Sequence, residues 1–211
     1  MTASNTVPST SSVRNKRSPG RTRSEAARVA ILNATLNLLE TLSPQQITVE
    51  AIAREAGVGK ATIYRWWPSK AAVVIDAFVQ NHIVQTPMPK GGSCREAIAV
   101  HLRRMVQQYD GRGGRLVAQI LAEGQSDPEV LRVFRERFFY GRRAMVREVI
   151  EEGRRNGEFR TDMDSEFLMD IVYSPVYFRL LMGHLPLSRK FADELAESAM
   201  IVLSPPGQAD R

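Results

Sequence analysis

The sequence predicts an all-α chain in two parts, and three observations carry that expectation. Apolar residues recur at i, i+3, i+4 and i+7 over most of the chain, and no stretch alternates as a half-buried strand would. Two short helical segments flank a glycine turn at 48–67. The pattern breaks most clearly at Thr86-Pro87-Met88-Pro89-Lys90-Gly91-Gly92, which reads as a linker. The expected architecture is an N-terminal three-helix helix-turn-helix domain, then a larger C-terminal helical domain, with about nine helices in all. The boundaries drawn are a basic arm over 1–23, the helix-turn-helix domain over 24–70, a connecting helix over 70–84, the helical body over 85–205 and a tail over 206–211.

The first 23 residues are rich in Ser, Thr, Pro and Asn and carry Arg14, Lys16, Arg17, Arg21 and Arg23 without a balancing acid. They read as a disordered arm. Such an arm either reaches into a minor groove or only keeps the chain in solution. The first helix is expected from an N-cap at Ser24 to about Thr41, with Ala27, Ala30, Ile31, Ala34 and Leu38 on one face and Ser43-Pro44 ending it. Thr48 caps the next helix, whose stripe is Val49, Ile52, Ala53 and Ala56. Gly57 stops it through a positive φ. The following helix, 60–67, is expected to hold Ala61, Tyr64 and Trp67 near its packed side with Ile63 beside them. Lys60, Thr62, Arg65 and Trp66 are left outward. Pro68 closes it and Ser69 caps the connecting helix, a continuous strut.

In the body, Ser93 or Cys94 opens a helix carrying Ile98, Leu102, Met105, Val106 and Tyr109, and Gly111–Gly114 interrupts it. Leu116, Val117, Ile120 and Leu121 mark the next helix. Asp127-Pro128-Glu129 starts a long one bearing Leu131, Phe134, Phe138, Met145, Val149 and Ile150, ended by Asn156-Gly157. Asp162 or Asp164 caps a helix with two apolar stripes and Pro175 in its middle, which should kink it. Ser188 opens the last helix, with Phe191, Leu195, Ala199 and Val202.

Charge locates the partner. Residues 1–80 hold ten Lys/Arg against five Asp/Glu, whereas the rest of the chain is nearly balanced. The basic excess around the helix pair suits a polyanion, and no acid lies between Glu55 and Asp76. A lysine and a hydroxyl at the N-terminal end of a second helix suit a major groove, where base edges are read. The competing reading is an αα-corner that only packs.

The segment GVGKATIYRWWPSK, within 24–78, resembles the recognition-helix signature of the TetR family of bacterial transcriptional repressors. The resemblance implies phosphate contacts by Tyr64 and Lys70 and an approach to bases by Lys60, Ala61, Thr62 and Arg65. Gly59 stands where the family usually has serine, and Trp66 where it usually has histidine. The candidate DNA-contacting set is Thr48, Gly59, Lys60, Ala61, Thr62, Tyr64, Arg65, Trp66 and Lys70, with Arg21 and Arg23 in the arm.

The two stripes of the 165–182 region suggest that it and the last helix form a four-helix interface with a second copy. The alternative is a helix wholly buried in one subunit. Candidate interface residues are Val176, Leu180, Phe191, Leu195, Ala199 and Val202. A candidate pocket is drawn from His101, Met105 and Tyr109, then Phe134 and Phe138, then Phe167, Tyr173 and Tyr177. Plain core explains the same spacing. The family resemblance favours an inducer site there and a homodimer reading palindromic operator DNA.

Other classes find little support. One cysteine, Cys94, excludes an internal disulfide, and the three histidines have no metal-ligand spacing. No phosphate loop or nucleophile elbow occurs, so neither a cofactor nor an enzyme activity is expected. No apolar run reaches the roughly 20 residues of a membrane span, and a cytoplasmic protein is expected. The expected function is a repressor released by a small apolar or amphipathic ligand. The rivals are a DNA-binding regulator without a ligand and a helical small-molecule-binding protein whose helix-turn-helix is only structural.

Overall fold

The computed structural model describes residues 19–89 and 91–207, and among these every regular element is helical. In order they are α1 (Pro19–Leu38), α2 (Val49–Glu55), α3 (Lys60–Trp66), α4 (Lys70–Gln85), α5 (Cys94–Tyr109) and α6 (Arg112–Ser126). Then come α7 (Pro128–Phe134), a π-helical turn (Arg135–Phe139), α8 (Tyr140–Arg155), α9 (Ser165–Met182) and α10 (Arg189–Leu203). Because α7, the π turn and α8 run on without a gap, the described chain forms nine continuous rods.

The starts lie where side chains satisfy orphan amides. Thr48 accepts from Ala51 N, Ser69 from Ala72 N, Ser93 from Glu96 N and Ser188 from Phe191 N. Asp127 caps α7 with Pro128 at its first position, and Asp164, rather than Asp162, caps α9. Helix α1 differs from expectation at both ends. It begins at Pro19, a residue suited to a first helical position, and it ends at Leu38 in a turn before Pro44 is reached. Residues 19–23 of the expected arm are therefore helical backbone, while 1–18 lie outside the described residues.

Helices α1–α4 close around Ile31, Ile52, Ile63, Trp67 and Ile75, all essentially inaccessible. That core runs on into the body through Phe78 on α4, which meets Phe138 edge-on at 5.0 Å. In the body α5 lies along α10, α6 against α7, and α8 against α9. Gly114 makes the α5–α6 corner possible, since a Cβ there would stand 2.0 Å from the Tyr109 carbonyl oxygen. Burial, with Glu158 nearby, pushes the Cys94 thiol up to about 11, so this cysteine is a packing residue.

The last two helices correct the expected interface residues. Val176 is 0% exposed and turned into the protomer's own core with Leu168 and Val172. Phe191, Leu195 and Ala199 are likewise buried, on the face of α10 that packs along α5, while Leu180 and Val202 are half-buried. The outward stripes are Phe167, Phe178, Leu181 and Met182 on α9 and Ile201 on α10. Helix α9 runs through Pro175 as one element.

Candidate DNA interface and effector cavity

The helix pair is built on a sharp corner. Gly57 sits at φ 65°, and Val58 N donates back to Ala53 O at 3.0 Å, closing α2. Gly59 is extended at φ −76° and ψ 148° and supplies no side-chain cap to α3. The first amides of α3 therefore have no competing side-chain acceptor at Gly59.

Ile63 within α3 and Trp67 just past its end anchor the helix to the core. Tyr64, expected near the packed side, is 53% exposed, and Ala61 is exposed as well. Of the seven residues of α3 only Ile63 is buried, so the outer face is wider than anticipated. It carries Lys60, Ala61, Tyr64, Arg65 and Trp66, with Thr62 half-buried at its edge.

Two cations on this surface have partners within the chain. Lys60 Nζ donates to Glu50 Oε1 at 2.9 Å across the helix pair, and both side chains are exposed. That pairing raises the Lys60 pKa, so its charge is held firmly. Lys70 Nζ donates to Pro44 O at 2.8 Å and Gln45 O at 3.5 Å, tying the start of α4 to the loop before α2. Thr48 spends its hydroxyl on the α2 cap. The side chains of Arg21 and Arg23 lie outside the described residues.

The end of α3 is wired to the body. Trp67 Nε1 donates to Asp76 Oδ2 on α4 at 2.7 Å, and the same oxygen accepts from Arg137 Nη1 in the π turn at 2.5 Å. The next residue along, Phe138, is in the wall of a cavity of about 60 Å3.

That cavity gathers His101, Met105 and Tyr109 from α5, Phe138 from the π turn, and Tyr173 and Tyr177 from α9. Phe134 is buried behind Phe138 at a ring distance of 5.2 Å and does not line it. Phe167 does not reach it either, pointing outward at 55% exposure. Six lining residues escaped the sequence reading: His82, Phe139, Arg142, Arg143, Val146 and Met169. A signal existed for one of them, since Arg142 interrupts the buried i+4 run Phe134, Phe138, Val146, Ile150.

Three of the cavity's polar groups, Arg142, His101 and Tyr173, are linked to one another and to Thr86. Arg142 Nη2 donates to Thr86 O, to Thr86 Oγ1 at 3.0 Å and to His101 Nε2 at 2.9 Å. His101 Nε2 is thereby an acceptor, so the ring proton sits on Nδ1 and is donated to Tyr173 Oη at 2.9 Å. Burial, and then the Arg142 charge, pull both His82 and His101 down to about 3, leaving two neutral imidazoles. Burial also raises the phenol pKa of Tyr109, Tyr173 and Tyr177. Buried Nδ1 of His82 has no hydrogen-bond partner.

Comparison with known proteins places these features in a recognised lineage. Residues 31–77 match the profile of bacterial regulatory proteins of the tetR family, and residues 88–199 match that of the tetracyclin repressor-like C-terminal domain. The uncharacterized HTH-type transcriptional regulator YdeS of Bacillus subtilis (strain 168) is 34% identical over 180 residues, 85% of this chain and 91% of that protein. The crystal structure of the TetR family transcription regulator SCO0332 superposes with a TM-score of 0.75 at 30% identity, covering 85% of this chain and 99% of that one. FadR from Bacillus subtilis, solved in complex with stearoyl-CoA, shares the fold with a TM-score of 0.63 at 17% identity, over 82% of this chain and 97% of its own.

Proposed function

The chain belongs to the TetR family of bacterial regulatory proteins, and from that premise we propose that it is a homodimeric repressor whose grip on a palindromic operator is loosened by a small ligand. Its relatives are helix-turn-helix transcriptional regulators. Among the described residues no helix is long and apolar enough to cross a membrane.

One observation carries the reading: α3 is held by Ile63 and Trp67 alone and turns Lys60, Ala61, Tyr64 and Arg65 to solvent. Residues at its N-terminal end then meet base edges, and those further along meet phosphates. Lys60, Ala61, Thr62 and Arg65 are the base-facing set, while Tyr64 and Lys70 hold the backbone. Two copies place two such helices about 34–36 Å apart, one DNA turn. The exposed stripes on α9 and α10 supply the surface for that pairing, with Phe178, Leu181 and Ile201 on it.

The ligand acts through the cavity beneath the π turn. Its volume is far below the roughly 300–1,000 Å3 of an occupied small-molecule site, so a ligand must displace a wall to enter. Phe138 is part of that wall, and its neighbour Arg137 holds Asp76, which holds Trp67 at the end of α3. A ligand that favours the opened cavity thereby disfavours the reader spacing that fits the operator, by no more than its differential affinity for the two states. FadR, a protein of the same fold, holds stearoyl-CoA, which supports a ligand-binding body.

Selection of bound sequences from a random DNA pool at near-physiological salt tests the operator reading. A recovered palindrome with half-sites one turn apart is the expected result. Binding that only fades with salt and enriches no motif would overturn it.

A further inference from the structure

The cavity wall holds a half-buried cation without a carboxylate partner among the described residues. Arg142 and Arg143 are neighbours on α8 and both line it, yet their surroundings differ. Arg143 is neutralised by Glu166 and by Asp170, the latter at 2.7 Å. Among the described residues no carboxylate pairs with Arg142. Its three bonds go to neutral acceptors and all come from Nη2. Nη1 and Nε take part in none of these bonds. A part-buried guanidinium charge is stabilised by a nearby anion, and a carboxylate that accepts from Nη1 or Nε makes a charge-assisted hydrogen bond.

The other walls define the rest of the ligand. Tyr173, Tyr177 and Phe138 supply aromatic faces and edges, and Met105 and Met169 supply polarisable sulfur. No acidic side chain lines the cavity to repel an anion. We propose that the effector is an aromatic carboxylate whose carboxyl group accepts from Nη1 or Nε of Arg142 and whose ring lies among Tyr173, Tyr177 and Phe138. This rests on the ligand-release reading for its consequence at DNA, but not for the binding itself.

The test uses the full-length chain and matched pairs of probes: benzoate, salicylate, cinnamate and 2-naphthoate, each against its neutral amide at constant ionic strength. Melting temperature and titration calorimetry are the readouts. At least one acid should bind about tenfold or more tightly than its amide, the worth of one charge-assisted hydrogen bond over a neutral one. Arg142→Gln should abolish the difference and Arg142→Lys should keep part of it; the lysine variant also guards against misfolding in the glutamine one. Because His82 and His101 stay neutral, acid affinity should be flat from pH 6.5 to 8. If no acid outbinds its amide, or if Arg142→Gln binds acids as the parent does, the assignment is wrong. An acid that binds through Arg142 but leaves the operator complex intact keeps this site and removes the release reading. A neutral amide that releases operator while no acid binds does the reverse.

Discussion

Arg137 in the π turn and Asp76 on α4 form an ion pair at 2.5 Å across 61 positions of sequence, and Asp76 hands the contact on to Trp67 at the foot of α3. The pair is partly buried, and its acid is shared between a guanidinium and an indole N–H. Members of such a network support one another and do not contribute independently. The arrangement joins the element that walls the cavity to the element proposed to face DNA by two side-chain contacts. A π turn is a common device at such places, because it offsets the helix by one residue and re-aims its side chains.

Urea denaturation of Arg137→Ala, Trp67→Phe and the double variant should give a coupling energy of about 1 kcal/mol. Arg137→Ala should also leave operator affinity without ligand within about threefold while blunting ligand release. Additive stability losses would mean that Arg137 and Trp67 do not communicate through Asp76.

On the reader, Lys60→Ala and Thr62→Ala should weaken operator binding and relax preference at one base pair of each half-site. A readable base contact is worth about 1–3 kcal/mol. Equal losses on operator and random DNA would remove both residues from the base-reading set. Glu50→Gln frees Lys60 and takes a negative charge from the DNA face, so binding to all sequences should tighten at low salt.

Lys70 has two of its three donors occupied by loop carbonyls. The remaining donor is available to a phosphate. Lys70→Ala should therefore lower both stability and affinity for every sequence, with a shallower salt slope. A lower melting temperature with an unchanged slope would make Lys70 a loop anchor only.

The two cavity histidines set a pH dependence. Unfolded, each titrates near 6.5, whereas folded they take a proton only near pH 3. The unfolded chain thus binds more protons throughout that interval, so stability is full above pH 6.5 and falls as pH drops toward 3. Between pH 6.5 and 5.5 the loss should be about 1 kcal/mol per histidine. His82→Leu should remove about half of that slope; Nδ1 has no partner to lose, and the lost ring contacts with Phe78, Tyr109 and Phe138 lower stability equally at every pH. A slope unchanged in His82→Leu would assign the effect to other groups.

Pairing of two copies should fail when a charge enters the exposed stripe. Leu181 and Ile201 are 52% and 59% exposed, so Leu181→Glu and Ile201→Glu leave the protomer core untouched. Light scattering should report monomers at micromolar concentration, and palindrome binding should fall at least about tenfold. A dimer that survives both changes would locate the interface elsewhere.

What was legible in the sequence was local. Thr48, Gly57 and Ser69 announced the helix pair because caps and a positive φ are chosen by residues adjacent in the chain. The two stripes of α9 were visible as periodicity. Which stripe faced inward was not, because periodicity is blind to what packs opposite; Val176 went to the core and Phe178 to the surface. Ile63 and Trp67 took the core side of α3, leaving Tyr64 outside, for the same reason. Arg142 was passed over since an arginine reads as surface. Only the meeting of α4, α5, α8, α9 and the π turn makes it part of a cavity wall. By itself the sequence determined the helices, most of their capped starts and the basic helix pair. The tertiary structure decided the cavity, the arginine without a carboxylate partner in its wall and the Arg137–Asp76–Trp67 connection. Those depend on contacts between residues far apart in the chain, which no local propensity encodes.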